Sequence, residues 1–419
     1  MHLKSLANCP ISGETRCFDR RRNPLLRPPA KPVASTAGET RCFDRRRNPS
    51  LAAGETHRFS RSPTRAETQW KRLSMDAPVS ISVASRRRFL RQSFAFSALA
   101  ALGSIPAVAA PLPSDPAVAE LLMVGDWGYD DDHTAQSGVA AGLREYVKRQ
   151  QLKTQALLML GDNWYGELAG GVHSSRWQTQ FEEMYPVDVF ACPAYAIPGN
   201  HDYQRWPESK VAAELEYARV GKTGTTPTRW TMPSLWYRFE FPAKKPLVTF
   251  IALDSNMPFA DGGSSRGRDF TLTPQQQAEQ LAWLKEELER PRTTPFLVVM
   301  GHHPVYSNGV HGDHPILIRD WNPLFQKHKV DMYLAGHDHD MQHLEFEGHP
   351  TSFVISGGGG ALLTNPKIDP AQRGPYGQKV YGFSHLSLTD KLMTLRHLNN
   401  NGHTLHAFTK TSDGKIQIL

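Results

Sequence analysis

Cysteine is nearly absent from the part of this chain that can fold. Of the 4 cysteines in 419 residues, Cys9, Cys17 and Cys42 sit near the N-terminus and Cys192 stands alone beyond them. A lone thiol closes no intrachain disulfide and excludes a thiolate zinc site, so the remainder must rely on its core. A stretch of about 300 residues is ample for that. Acidic residues are scarce in the same N-terminal stretch. Residues 1–91 hold 20 Lys and Arg against 7 Asp and Glu, whereas the rest holds 28 against 34. The pI near 9.2 therefore belongs to the N-terminus, and the net +7 is no sign of a nucleic-acid-binding domain. No nucleic-acid partner is expected.

Large apolar residues are also few there. The string GETRCFDRRRNP occurs identically at 13–24 and 38–49, with a degenerate copy opening at Gly54. An Arg-rich repeat of this kind cannot bury enough surface to fold. Residues 1–74 read as a disordered basic leader, or as upstream sequence before a start at Met75; a basic arm for anionic polymers is the rival reading. Long hydrophobic runs are missing as well. Residues 92–109 are uncharged but contain Gly103 and Pro106, which disfavours a permanent transmembrane helix. This stretch follows SRRRFLR at 85–91 and ends in AVA at 107–109. It resembles a twin-arginine export signal with its cleavage site. Residues 75–109 are thus expected to be a signal peptide, cut near residue 110. That implies a bacterial protein carried folded by the twin-arginine translocase, periplasmic or secreted, with no stable membrane anchor after cleavage. No later break in composition divides 110–419, which reads as a single catalytic domain and a monomer.

From about residue 120 the chain alternates short apolar runs with helical spacing. Helices are expected at 135–151 and 274–290, the second opening on a Thr273 cap and a first-turn Pro274. Strands are expected at 236–241 and 247–253, a short helical piece and a polar loop within 204–229, and a Gly-rich loop at 256–270. Five apolar runs share one ending. Residues 121–124 lead into GDWG, 156–160 into GDNWY, 194–198 into GNHD, 296–300 into GHHP and 330–335 into GHDH. A strand closed by Gly and then a polar residue delivers that side chain at the sheet's edge with little positional slack. One such turn is ordinary; five are not.

The donors at these turns are carboxylates, an amide oxygen, imidazoles and a phenol, which suit hard or borderline cations. Two ions roughly 3.5–4 Å apart need a shared anionic ligand, and a carboxylate bridges best. Asp162 lies three residues before Tyr165, so both can face one pocket. A phenol coordinates well only to a strongly Lewis-acidic ion, so Tyr165 argues for ferric iron.

GDWG at 125–128, GDNWY at 161–165, GNHD at 199–202, VMGH at 299–302 and GHDH at 336–339 resemble, in order, the five blocks of purple acid phosphatases, most of all the small tartrate-resistant branch of these calcineurin-like metallophosphoesterases. The likeness extends to RWTMPS at 229–234 and YGFSH at 381–385 and covers roughly 120–410. The resemblance implies a four-layer αββα sandwich, an α/β fold of two mixed sheets flanked by helices. It implies Fe(III) held by Asp126, Tyr165 and His339, a divalent Fe, Zn or Mn held by Asn200, His302 and His337, and Asp162 bridging them. The ligands and a bridging hydroxide would leave the site at about +1, attractive to a phosphate dianion. The implied reaction is hydrolysis of phosphate monoesters, a metal-bound hydroxide attacking in line, with His201 as first candidate proton donor and His311 as second. His314 is an alternative for the second.

Other features carry less. His303 occupies a position where the family more often has Tyr and reads equally as a substrate contact or as a supporting or surface residue. Asp338 reads as a turn residue pointing away from the ions. Gly357–Gly360 reads as a tight turn beside the site rather than a phosphate cradle, and the Asp130–Asp132 run as a solvated acidic loop. Two rival functions remain: a phosphodiesterase or nucleotidase of the wider group, and a non-hydrolytic iron- and phosphate-binding protein. Tyr165 argues against the first, and His201 with His311 against the second.

Overall fold

The computed structural model describes residues 118–129, 132–204, 210–221, 228–257 and 271–419. The expected leader, the Met75 start, the 75–109 signal, Asp130, Asp131 and nearly all of the Gly-rich loop lie outside the described residues. The first half runs β1 (Ala119–Val124), α1 (Thr134–Gln150), β2 (Ala156–Met159), a π-helical turn (Trp177–Glu182), β3 (Ala194–Ala196), α2 (Asn200–Tyr203), α3 (Lys210–Val220) and β4 (Trp230–Thr231). The second runs β5 (Tyr237–Phe241), β6 (Val248–Ala252), α4 (Pro274–Glu289), β7 (Phe296–Met300), α5 (Pro315–Asp320), α6 (Asn322–His328), β8 (Met332–Ala335), β9 (Met341–Leu344), β10 (Ser352–Ser356) and β11 (Pro375–Gln378). An antiparallel run closes the chain: β12 (Gly382–Leu388), β13 (Leu392–Asn399), β14 (Thr404–Thr411) and β15 (Ile416–Ile418).

These strands form two mixed sheets, ordered β15-β14-β13-β12-β1-β2-β3-β4 and β11-β9-β10-β8-β7-β6-β5. Strands β1 to β4 are parallel, as are β6, β7, β8 and β10. A parallel strand covered on both faces needs apolar residues at every position, which is why these segments read as continuous apolar runs. Their two-residue period then deals alternate side chains to different layers. Leu121 and Met123 of β1 enter the core between the sheets, while Leu122 and Val124 meet the outer cluster with Val139 and Leu143 of α1 and Trp177 and Phe181 of the π turn. Phe296, Val298 and Met300 of β7 likewise face the inter-sheet core, and Leu297 and Val299 pack with Leu284 of α4, Leu317 of α5 and Phe325 of α6. Helices, sheet, sheet, helices: the expected four layers are present.

The expected helices appear one residue shorter or shifted by one, and the strands at 236–241 and 247–253 lose a residue at one or both ends. Helix α4 starts as its sequence suggests. Thr273 Oγ1 accepts the Gln276 N–H at 3.2 Å, and Gln276 Oε1 accepts the Thr273 N–H at 2.9 Å, a reciprocal cap followed by Pro274. No helix of the described residues is long and apolar enough to cross a membrane.

Histidines without motif context are structural. His397 on β13 bonds Ser384 Oγ at 2.8 Å through Nδ1 and the Gln342 carbonyl at 3.0 Å through Nε2. Its ring lies 6.1 Å from that of His406. Burial, then the neighbouring imidazoles of His406 and His343, pull His397 down to about 3. Burial and His343 pull His406 down to about 4. In the unfolded chain both regain an ordinary value of about 6.5, so protons bind there first as pH falls. Their contribution to stability is therefore full above about pH 6.5 and lost as pH drops toward 3–4. His397→Gln should be less stable than the parent by about 1–3 kcal/mol at pH 7. The difference in thermal unfolding midpoint should shrink between pH 7 and 4, because the variant has no proton to take up; a gap that stays constant contradicts this.

Candidate metal centre

The C-terminal ends of β1, β2, β3, β7 and β8 converge at one edge of the two sheets, and each delivers polar side chains from the turn that follows it. The turns are tight. Asp126 (φ 59°), Asp162 (φ 50°) and His337 (φ 71°) adopt the left-handed backbone region, which costs a residue with a Cβ about 1–2 kcal/mol. The other two such non-glycine residues among those described, Gln151 and Lys329, end helices α1 and α6. Backbone strain away from helix ends is thus confined to this edge. Gly199 is required for a different reason: a Cβ there would fall 2.2 Å from Asp162 N and from Asp162 Oδ1.

All seven side chains expected as ligands meet. The Tyr165 hydroxyl lies 3.2 Å from Asp126 Oδ1, 3.0 Å from Asp162 Oδ2 and 3.1 Å from His339 Nε2. Asn200 Oδ1 lies 3.1 Å from His302 Nε2 and 2.9 Å from His337 Nδ1. His302 Nε2 lies 3.3 Å from Asp162 Oδ1 and 4.0 Å from Asp126 Oδ1. Two groups of donors result, Asp126–Tyr165–His339 and Asn200–His302–His337. Asp162 stands between them with one oxygen on each side. Separations near 3 Å are about those of atoms bound to one ion at 2.0–2.2 Å. Asp126, Asp162 and His302 alone already form a cluster able to hold a cation.

Electrostatics fit a cation as well. Burial, against the opposing charge of His302, leaves the Asp126 carboxyl well above its ordinary range. Burial also pushes Asp162 up, but His302 and His201 more than offset it, and this carboxyl stays ionised far into acid. His302 answers with the reverse shift: burial disfavours its charge, yet Asp162 and Asp126 raise it to about 10. The chain by itself thus meets its buried negative charge with a histidine proton, the place a metal cation takes. Burial, then other nearby imidazoles, hold His337 well below its usual value. Burial lowers His339 too, against the pull of its bond to Leu362. Both are neutral, as ligands must be. The Nδ1 atoms of His302 and His339 meet the Leu160 and Leu362 carbonyls at 2.9 and 2.8 Å. As donors there, they leave each Nε2 lone pair for the cluster. Burial and the carboxylates of Asp162 and Asp126 push Tyr165 well above 10, so its phenolate forms only against a strongly Lewis-acidic ion.

The proposed proton donors flank this cluster. His201 donates its backbone N–H to Asp162 Oδ1 at 2.8 Å, and its ring lies 4.0 Å from that of Tyr165. The His311 ring lies 4.0 Å from that of His337. His314 is buried, and its Nδ1 accepts the Leu317 N–H at 3.2 Å as the cap of α5. His303 is not a surface residue. It is buried, holds Ser255 Oγ at 2.9 Å and packs 4.2 Å from the His337 ring. The glycines at 357–360 turn N–H groups toward the protein, Gly357 to Asp340 and Gly359 to Gly125, as a tight turn would.

Sequence reasoning missed the scaffold behind the ligands. Asp202, fully buried, accepts the N–H of Gly199 at 2.8 Å, of Asn163 at 3.0 Å and of Trp164 at 2.8 Å, tying two ligand turns together. Arg176 donates to the carbonyls of Tyr165 at 2.7 Å and Gly128 at 2.9 Å, joining the turn after β1 to the second of these. Only the Asp202 position, inside GNHD, carried any signal.

Comparison with known proteins agrees with this geometry. Residues 120–341 match the family described as calcineurin-like phosphoesterase. Human tartrate-resistant acid phosphatase type 5 is 30% identical over 304 residues, 67% of this chain and 87% of its own length. Purple acid phosphatase 7 of Arabidopsis thaliana is 28% identical over 296 residues, 68% of this chain and 84% of its own. Among solved structures, GAP50, the anchor in the inner membrane complex of Plasmodium, superposes with a TM-score of 0.55 at 20% identity, covering 70% of this chain and 88% of that one.

Asp162→Ala should abolish metal loading and turnover together. Gly199→Ala should reproduce much of that loss by displacing the Asp162 carboxylate, with bound metal falling below one ion per chain by elemental analysis. Full loading in either variant contradicts the shared role of Asp162.

Proposed function

This chain belongs to the calcineurin-like phosphoesterase family, and within it we propose an acid phosphatase with a binuclear metal centre that hydrolyses phosphate monoesters. One observation carries the reading: Asp162 puts one oxygen beside Tyr165 and the other beside His302, as a carboxylate shared by two ions would. Asp126, Tyr165 and His339 would hold Fe(III), and Asn200, His302 and His337 a divalent Fe, Zn or Mn. When bound, the pair would acidify water into a nucleophile and stabilise charge on the transferring phosphoryl group. Asp162 keeps the two donor groups at a common spacing, and the neutral imidazoles of His337 and His339 are ready to coordinate without losing a proton. His201 and His311 border the cluster, next to Tyr165 and His337 respectively. His201 is the first candidate to give the leaving oxygen its proton, and His311 the second. Similarity to acid phosphatases over most of their length supports the same activity.

The remaining expectations form part of the proposal. Residues 110–419 would make up a single catalytic domain acting as a monomer in the periplasm or outside the cell, exported through the twin-arginine translocase after a start at Met75. A precursor whose N-terminal sequence begins at Met1 rules out that start.

The purified protein should be pink to violet from a phenolate–ferric band, and Tyr165→Phe should bleach it. Turnover of 4-nitrophenyl phosphate should exceed that of bis(4-nitrophenyl) phosphate by at least about 10-fold, a difference of about 1.4 kcal/mol in transition-state binding. A diester preference would instead favour the phosphodiesterase reading, and a coloured protein inert to both would favour a phosphate-binding one.

A further inference from the structure

The turn after β8 holds two of the seven clustered side chains, His337 and His339, and between them Asp338. That carboxylate is fully buried and turned to the loop at 307–311. Its Oδ1 accepts His311 Nδ1 at 2.9 Å and the His311 backbone N–H at 3.2 Å, and its Oδ2 accepts the Ser307 hydroxyl. Ser307 Oγ in turn accepts the Gly309 N–H at 2.8 Å and Gln342 Nε2 at 3.1 Å. The loop lies so close that a Cβ on Gly309 would fall 2.2 Å from the Asp338 carboxyl carbon. A half-exposed imidazole thus hangs from a buried carboxylate, itself held by a loop that only glycine permits.

An ionised carboxylate accepts and does not donate, so the Nδ1 atom it faces must carry the proton. Two bonds from one carboxylate, to the backbone and to the ring of His311, leave the ring little freedom to rotate. We propose that Asp338 is a positioning residue: it fixes the tautomer and orientation of His311 so that Nε2 faces the substrate's leaving oxygen. The inference rests on the reading of His311 as a proton donor. As the bond from phosphorus to the leaving oxygen breaks, its electron pair stays on that oxygen, which takes the Nε2 proton. Water supplies the replacing oxygen, and the ring is left neutral with Nδ1–H still bonded to Asp338. A purely structural Asp338, bracing the turn between His337 and His339, predicts a different pattern of defects.

The test compares the full metal-loaded chain with Asp338→Asn, His311→Ala and the double variant, on 4-nitrophenyl phosphate and on ethyl phosphate, whose alkoxide needs a proton to leave. Asp338→Asn should keep two ions per chain and a KM within about 3-fold. It should lower kcat on ethyl phosphate about 10- to 100-fold but on the aryl ester less than about 5-fold. Adding it to His311→Ala should cost nothing further. Loss of metal, equal losses on the two esters, or a full additional loss in the double variant overturns the proposal. If His311→Ala alone leaves ethyl phosphate turnover unchanged, the fault lies in reading His311 as the donor, and both ideas fall. Should the Asn variant not fold, nitrogen NMR of the unmutated zinc-loaded protein decides: His311 protonated at Nδ1 is expected, and a ring protonated only at Nε2 overturns the proposal.

Discussion

Two fully buried carboxylates, Asp126 and Asp162, within reach of one tyrosine hydroxyl are the constraint around which this edge of the protein is built. Buried negative charge is tolerated only when positive charge accompanies it. In the polypeptide alone His302 provides it, raised to about 10 by Asp162 and Asp126 against its burial. Bound cations held by the same carboxylates and by Tyr165 would meet that demand in place of the proton. Ligand chemistry, protonation and burial are therefore one problem with one solution.

Holding that solution in place has a structural cost. Asp126, Asp162 and His337 occupy backbone conformations worth about 1–2 kcal/mol of strain each. Three layers of packing offset it. The inter-sheet cluster, with Met123, Leu158, Val298 and Leu334, fixes the strands whose ends carry the ligands. The two outer clusters press helices onto those strands from either side. Behind the turns, Asp202 and Arg176 gather backbone groups from three motifs, so that these turns are tied to one another as well as to the sheets.

The turn at 336–340 shows how densely roles are set along the chain. His337 and His339 face the cluster, while Asp338 faces the loop of His311. The tight turn, with His337 in the left-handed region, sends these neighbours to different sides, so one short segment serves both the cluster and the loop beside it.

Much of this was written locally. Strands buried on both faces must be continuously apolar, and glycine must precede a side chain presented at a crowded edge. Five repeats of that grammar therefore exposed β1, β2, β3, β7 and β8 together with all seven donors. The identity of the donors, carboxylates, phenol, amide and imidazoles without thiols, suits hard or borderline cations. Only tertiary structure decided which donors share a neighbour, and so which carboxylate stands between the two groups. It also decided that His303 is buried against Ser255, that His314 caps a helix while His311 does not, and that Asp338 meets His311 from 27 residues away. Those outcomes depend on distances between segments far apart in sequence, which packing sets and no local pattern of residue types encodes.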